Sequence, residues 1–390
     1  MRTSIQVGKL LGIPIKLHFT FLIILVLFIL GFANNSSTEY RIPLGLGDLG
    51  LTPLIRYALS TITAILFFFT LLLHELGHSY VAMKYGTKIN SITLFFFGGL
   101  AMMEEIPKSP EKEWRIAIAG PLMSFAIGAL FCSIYFGLNA LQVEFYRPAG
   151  IFVLVIGSFN IMLAIFNLIP AFPMDGGRVF RAFLATRMSF VEATKKAVLV
   201  GKIFAGLMVL AGLLKADPIS FILTGEWGYN LWLPLLALFL YMAATEEEKA
   251  TITFASLEGI KVKHVMRTER TSVSEDMPLM ELVRKMLEER TAEYVVMNDS
   301  GDLKGFITIT TVKKVPVEQR HLLSVSDVMS PYDSISRLIS NEDESAEALK
   351  MMIRAKLEFI AVKDDTSGDF AGIITRKDLA TYIEMLSGRF

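Results

Sequence analysis

The chain has one cysteine, Cys132, in 390 residues. An intrachain disulfide is therefore excluded, and so is a thiolate metal cluster. Inside an apolar run, Cys132 reads as a small core hydrophobe. Histidine is also scarce, with only His18, His74, His78, His264 and His321. Net charge is zero, and no stretch gathers Lys and Arg into the basic patch that nucleic-acid binding needs, so nucleic acid is excluded as a partner. The zero conceals a division. Residues 1–250 carry 19 Lys+Arg against 15 Asp+Glu, and residues 251–390 carry 19 against 23.

Apolar residues are abundant. The hydrophobic fraction is 53% and mean hydropathy is +0.50, both above the range of soluble domains. Crossing a hydrocarbon core of ~30 Å takes roughly 17–25 apolar residues. Six runs qualify as candidates: Leu17–Ala33, Leu54–Met83, Trp114–Leu138, Ala149–Ile169, Ala197–Leu214 and Trp227–Ala244. Arg2, Lys9 and Lys16 before the first run give it some signal-peptide character, but the spans behind it favour a retained first helix. Lys84, Lys88, Lys108, Lys112 and Arg115 follow the second run, and Arg178, Arg181, Arg187, Lys195 and Lys196 follow the fourth, whereas the alternate loops hold only Arg41, Arg147 and Lys215. The positive-inside rule then places both termini in the cytoplasm, as an even number of spans requires. Residues 89–105 are too short for a span. Ile89–Leu94 alternates apolar and polar and runs into Phe95-Phe96-Phe97-Gly98-Gly99, which predicts strands or a re-entrant hairpin.

Beyond the charged stretch Thr245–Lys249 the sequence repeats itself. Val262-Lys-His-Val-Met266 returns as Val325-Ser-Asp-Val-Met329, and Gly305-Phe-Ile-Thr308 returns as Gly372-Ile-Ile-Thr375. A helical pattern and a short β-like run lie between each pair, so each repeat is a small α/β unit that needs its twin to close a core.

The chemistry concentrates in His74-Glu75-Leu76-Gly77-His78. On a helix the two histidines are four residues apart and project from one face. That is the spacing of two zinc ligands, with Glu75 placed to activate water. Ionisable residues at the end of an apolar span are costly and point to function. A catalytic zinc takes three protein ligands and keeps one position open. Asp175, in Asn167-Leu-Ile-Pro170-Ala-Phe-Pro173-Met-Asp175-Gly176-Gly177, ends the fourth span at the same side of the membrane as the histidines and is the expected third ligand. His18 is the alternative.

The two motifs together resemble the site-2 protease family of intramembrane metalloproteases, whose pattern pairs HExxH with a distant Asn-x-x-Pro-x-x-Pro-x-Asp-Gly. The resemblance covers roughly residues 1–245 and includes Phe97-Gly98-Gly99 and Ala119-Gly120-Pro121. Ser124 stands where the family often has Asn, a departure that bears on local helix packing. The resemblance implies that His74, His78 and Asp175 bind one Zn2+ and that Glu75 is the general base. It further implies that Asn167 polarises the scissile carbonyl, and that Phe95, Phe96, Phe97, Gly98 and Gly99 hold the substrate as an added strand. The C-terminal repeat resembles a pair of CBS domains, through its Val-x-x-Val-Met entries and its Gly-Ile-Ile-Thr375-Arg-Lys-Asp378 exit. Such pairs often bind ATP, ADP or AMP, and the ribose-binding positions match Thr375 and Asp378. In the first repeat the acidic position is Thr311, so at most one good nucleotide site is expected.

The fold expected is a polytopic α-helical membrane protein of about six transmembrane helices with a short re-entrant β element, plus a soluble α/β tandem CBS domain. The division expected is a membrane metalloprotease domain over 1–247 and CBS repeats over 258–314 and 321–387. The function expected is regulated cleavage of transmembrane proteins near the cytoplasmic side of a prokaryotic plasma membrane. The partners expected are the protein substrate, membrane lipid and an adenine nucleotide, with a homo-oligomer left open. Two other readings predict different things: a CBS-gated transporter predicts paired charges at mid-membrane, and a pseudoprotease predicts no cleavage despite an intact site.

Overall fold

In a computed structural model the chain forms two compact units, Met1–Thr251 and Ile252–Phe390. The structure describes residues 4–36, 43–95, 98–103, 109–140, 147–214, 216, 221, 227–268, 272–300, 302–331, 338–355, 357–367 and 370–386.

The first unit opens with a hairpin, β1 (Ser4–Leu10) and β2 (Ile13–His18), before helix α1 (Thr20–Asn34). Leu11 and Gly12 turn the hairpin with φ of 51° and 80°, the left-handed pair that matches strand twist in a two-residue loop. This corrects the first expected span. Leu17 and His18 belong to β2, and α1 has 15 residues, about 22 Å at 1.5 Å per residue. The sequence carried the signal in Ile13, Ile15 and Leu17, an alternation that a hydropathy window averages away.

The expected hairpin at 89–105 is also present, as β3 (Ile89–Phe95) and β4 (Gly98–Met103). It joins the N-terminal strands in one sheet of order β1-β2-β3-β4, in which β2 and β3 run parallel and the other pairs antiparallel. Phe96 and Phe97 lie outside the described residues. The sheet rests on helix α2 (Pro53–Lys84) through Ile13, Ile15 and Ile92 against Leu72 and Leu76, and Leu94 packs with Phe21, Phe68 and Leu71. It therefore covers the half of α2 that carries the histidines.

Helices α3 (Pro110–Ala140), α4 (Arg147–Asn167), α5 (Asp175–Ala185), α6 (Phe190–Leu213) and α7 (Trp232–Ser256, in this unit as far as Thr251) complete the unit. By length and composition, α2, α3, α4 and α6 are able to cross a membrane. The last expected span is the apolar first half of α7, which continues as a charged helix through Glu246, Glu247, Glu248 and Lys249. Large apolar side chains are exposed along the outer faces, among them Ile62, Ile65, Phe125, Ile165, Ile203 and Leu207, as a lipid solvent allows. Inside, Phe28, Phe67, Phe68 and Phe159 interlock with ring centroids 5.1–6.5 Å apart. Buried hydroxyls satisfy themselves on their own helix, as with Thr63 on the Leu59 carbonyl at 2.8 Å and Thr70 on Phe67 at 2.7 Å.

The second unit contains a four-stranded sheet, β5 (Ser272–Ser274), β6 (Glu293–Met297), β7 (Leu303–Thr308) and β8 (Ser330–Pro331), and a three-stranded sheet, β9 (Leu338–Ser340), β10 (Phe359–Lys363) and β11 (Phe370–Thr375). Helices α8 (Leu279–Glu288), α9 (Ser345–Ala355) and α10 (Arg376–Leu386) cover them. The repeats exchange their entries. Val262 and Val265, from the first repeat, are buried in the core of the second with Ile339, Met352, Ile360 and Ile374. Val325, from the second, is buried in the core of the first with Val273, Leu282 and Ile307.

Helices α3 and α4 approach closely at Gly128, where an added Cβ would lie 2.6 Å from Ile161 Cγ1 and 2.9 Å from the Gly157 carbonyl. Gly128→Val should therefore lower the stability of the purified protein by ~1–3 kcal/mol, the cost of overpacking. The unfolding midpoint in detergent reads this, and an unchanged midpoint would contradict the contact.

Candidate functional site

Residues 74–78 lie inside the unbroken helix α2, so His74 and His78 are one turn apart on its buried face, 2% and 4% exposed. Each imidazole is held from behind. His78 Nδ1 lies 2.7 Å from the Ile116 carbonyl, an acceptor only, so Nδ1 carries the proton and Nε2 presents a lone pair. His74 Nδ1 meets the Ser124 hydroxyl at 2.9 Å. Both partners are on α3.

The third group comes from the turn after α4. Pro170 and Pro173 end the helical path, Met174 is extended, and Asp175 is the first residue of α5. Gly176 lets α5 start against the preceding turn, since a Cβ there would lie 2.3 Å from the Leu168 carbonyl. Asp175 Oδ2 comes to 3.2 Å from His74 Nε2 and 3.1 Å from His78 Nε2, and the two nitrogens are 3.2 Å apart. Among the described residues this is the cluster of His, Cys, Asp and Glu able to hold a metal ion. The near-equilateral triangle suits zinc, because tetrahedral ligands at ~2.0–2.1 Å lie about 3.3 Å from one another. His18, the alternative ligand, instead meets Thr20 Oγ1 at 2.8 Å and is outside the cluster.

Gly120 of α3 closes one side of the triangle. An added Cβ there would be 2.2 Å from His78 Nε2 and 2.7 Å from His74 Nε2. Glu75 faces the sheet, where Gly99 of β4 packs so tightly that a Cβ would meet Glu75 Cγ at 2.4 Å. Among the described residues β4 is an edge strand of its sheet, and its Gly99 lies directly beside Glu75. Asn167, at the end of α4, donates its amide to the Leu163 carbonyl at 3.0 Å.

A second layer fixes α5. Arg181, 1% exposed, donates to Glu113 of α3 through Nε at 2.8 Å and a second nitrogen, and to Glu247 of α7 at 2.9 Å. Its guanidinium lies between the Phe172 and Phe190 rings, 4.8 and 4.7 Å from their centroids. Arg178, one turn after Asp175, lines a cavity of about 400 Å³ with Phe172, Pro173 and Glu247. Burial alone would lower its pKa, but the carboxylates of Glu247, Asp175, Glu113 and Glu75 outweigh this and raise it, so it remains a cation beside the site.

Ser124, Gly120, Arg178 and Arg181 were not read as site residues from the sequence. Ser124 stood out only as a departure bearing on packing, and it is in fact a direct partner of a histidine ring. Their spacing held a partial signal. Gly120 and Ser124 are one helical turn apart, as are Asp175, Arg178 and Arg181.

Two substitutions follow. Gly120→Ala should reduce metal content of the purified protein to a small fraction of wild type, because a methyl group occupies the space between the nitrogens. Ser124→Ala should weaken zinc affinity by about 10–100-fold, the usual effect of removing a ring partner. A chelator competition measures both, and wild-type affinity in the Gly120 variant would contradict the geometry.

The model of peptidase family M50 matches residues 62–145 and 142–210, and the CBS domain model matches residues 262–318 and 325–385. Zinc metalloprotease MJ0392 of Methanocaldococcus jannaschii is 35% identical over 99% of this chain and 98% of its own length. Putative zinc metalloprotease Rip3 of Mycobacterium tuberculosis is 29% identical over 99% of this chain and 94% of its own. Among solved structures, a site-2 protease from Methanocaldococcus jannaschii is 40% identical, covering 63% of this chain and 95% of its own, with a TM-score of 0.41. With its paired CBS domains, the chain belongs to peptidase family M50, the zinc metalloproteases of the site-2 protease type.

Proposed function

We propose that the chain is an intramembrane endopeptidase that cuts transmembrane proteins near the cytoplasmic side of the membrane and is modulated by adenine nucleotide on its CBS pair. The observation that carries the reading is the meeting of His74 Nε2, His78 Nε2 and Asp175 Oδ2 within 3.2 Å, inside a bundle of apolar helices.

In this reading His74, His78 and Asp175 hold one zinc ion. When bound, zinc supplies a Lewis acid and lowers the pKa of water towards ~7. Glu75, adjacent to His74 and facing the sheet, takes the proton from the attacking water and later delivers it to the leaving amine. Asn167 stabilises the scissile carbonyl with the amide hydrogen that its helix leaves unused. A substrate helix shields its own peptide bonds, so it must unwind before it is cut. Beside Glu75, β4 is the sheet edge among the described residues and offers backbone partners to the extended segment, with Phe95, Gly98 and Gly99 on the hairpin around it. The excess of Lys and Arg between the second and third and the fourth and fifth apolar runs supports cytoplasmic termini.

The nucleotide reading rests on Thr375 and Asp378. Asp378 Oδ2 accepts from the Thr375 hydroxyl at 2.7 Å and its N–H at 3.0 Å, which fixes a carboxylate at the head of α10. In the first repeat Thr311 takes that place and meets Thr308 Oγ1 at 2.9 Å, without a carboxylate.

The test is metal content and cleavage in parallel. Wild type should hold about one zinc per chain. Asp175→Ala should lose it, and Glu75→Gln should keep it while losing cleavage of a single-span reporter by about 10³-fold or more. A wild type that binds no zinc would sink the reading, and full cleavage by Glu75→Gln would remove the base. Millimolar AMP or ATP should change the cleavage rate in wild type and leave Asp378→Ala unaffected. A rate indifferent to nucleotide would end the regulatory part.

A further inference from the structure

Asp378 is occupied in this structure. Its Oδ1 accepts from Arg267 Nε at 2.6 Å, and a second guanidinium nitrogen also lies against it. The carboxylate is buried, with its side chain 8% exposed, whereas the arginine side chain is 53% exposed. The backbone of Arg267 is pinned at the same place. Its N–H donates to the Ile373 carbonyl at 2.8 Å, and Ile373 N–H returns to the Arg267 carbonyl at 3.1 Å. A Cβ on Gly372 would come within 2.3 Å of that carbonyl. The anchor is therefore fixed on β11 while the guanidinium lies half in water.

A guanidinium has donors only. If a ribose hydroxyl takes Asp378 Oδ1, Arg267 loses its acceptor and needs another anion within the reach of its side chain. Phosphate matches its planar fork and forms the shorter, stronger class of hydrogen bond. The arrangement occurs once. At the matching place in the second entry, after Met329, stands Ser330, and the carboxylate position of the first repeat is Thr311.

We propose that Arg267 is the phosphate-reading residue of the second-repeat site: it covers Asp378 when no ligand is present and turns to the phosphate of a bound nucleotide. This rests on the adenine-nucleotide reading above and adds to it a discrimination between nucleotide and nucleoside. A nucleoside must displace the arginine and gives it no new partner. A nucleotide displaces it and re-engages it, so the same side chain opposes one ligand and favours the other. The apparent Kd is the intrinsic Kd divided by the fraction of molecules whose site is uncovered, so removing the cover strengthens binding that does not use the arginine.

The experiment is calorimetric titration of the full-length protein in detergent with adenosine and with AMP. Arg267→Ala should tighten adenosine by about two- to five-fold, the range of a half-exposed ion pair, and weaken AMP by about ten-fold or more, the loss of a charge-assisted contact. Arg267→Lys keeps the charge without the fork and should recover part of the AMP affinity. An adenosine affinity that is unchanged or weaker in Arg267→Ala overturns the cover. An AMP affinity unchanged in that variant overturns the phosphate role. A wild type that binds neither ligand at millimolar concentration overturns the nucleotide reading itself, a result separable from the first two because both of those require measurable binding. Unfolding midpoints of the variants should fall by no more than the loss of one half-exposed ion pair, since the backbone pairing with Ile373 does not use the side chain.

Discussion

Two imidazole Nε2 atoms and a carboxylate oxygen lie within 3.2 Å of one another in an apolar interior. Nitrogen and oxygen atoms at that separation repel unless a proton or a cation lies among them. The surrounding structure holds them there from several directions. The Ile116 carbonyl and Ser124 hydroxyl fix both rings from behind, and Gly120 provides the clearance in front. Arg181, with Glu113 and Glu247, ties down the helix that begins at Asp175. A buried ion pair is weak evidence for stability, because desolvation offsets most of the attraction. Here it crosslinks three helices at the level of the site, and its value lies in position.

The membrane setting makes these interactions both possible and costly. Four helices of this unit have the length and composition of membrane spans, and apolar side chains face outward as well as inward. Hydrophobic burial cannot then distinguish inside from outside, and packing relies on close backbone approach, as at Gly128, and on interlocked rings around Phe28. Polar groups in such a bundle have few partners available. The internal hydroxyl bonds of Thr63 and Thr70 and the doubly held imidazoles follow from the same scarcity.

The chemistry was more legible in the sequence than the scaffold. Residues 74–78 display their role because i, i+4 spacing on a helix needs no tertiary information, and Asp175 could be joined to them because the spans place both motifs at one side of the membrane. The N-terminal hairpin was hidden, since its apolar alternation runs straight into a helix and a hydropathy window merges the two. The ring partners were hidden for another reason. Ser124 and Gly120 act through contacts with residues about fifty positions away, and nothing local marks a serine as the partner of an imidazole. The end of the last span was blurred because α7 does not stop where its apolar face stops. Phe95, Gly98 and Gly99 were read as a hairpin, but the closeness of Gly99 to the Glu75 side chain is a fact of packing.

The exchange of entries between the two repeats has a consequence for how the second unit behaves as matter. Val262 and Val265 complete one core and Val325 completes the other, so each core is built from chain that belongs to its neighbour. A cut between the repeats would leave both halves with an open apolar surface, and neither would survive as a fragment. The two cores must also melt together, because unfolding either one withdraws a wall from the other. In thermodynamic terms the pair is one cooperative body, and any stabilisation applied at one end is distributed over the whole of it.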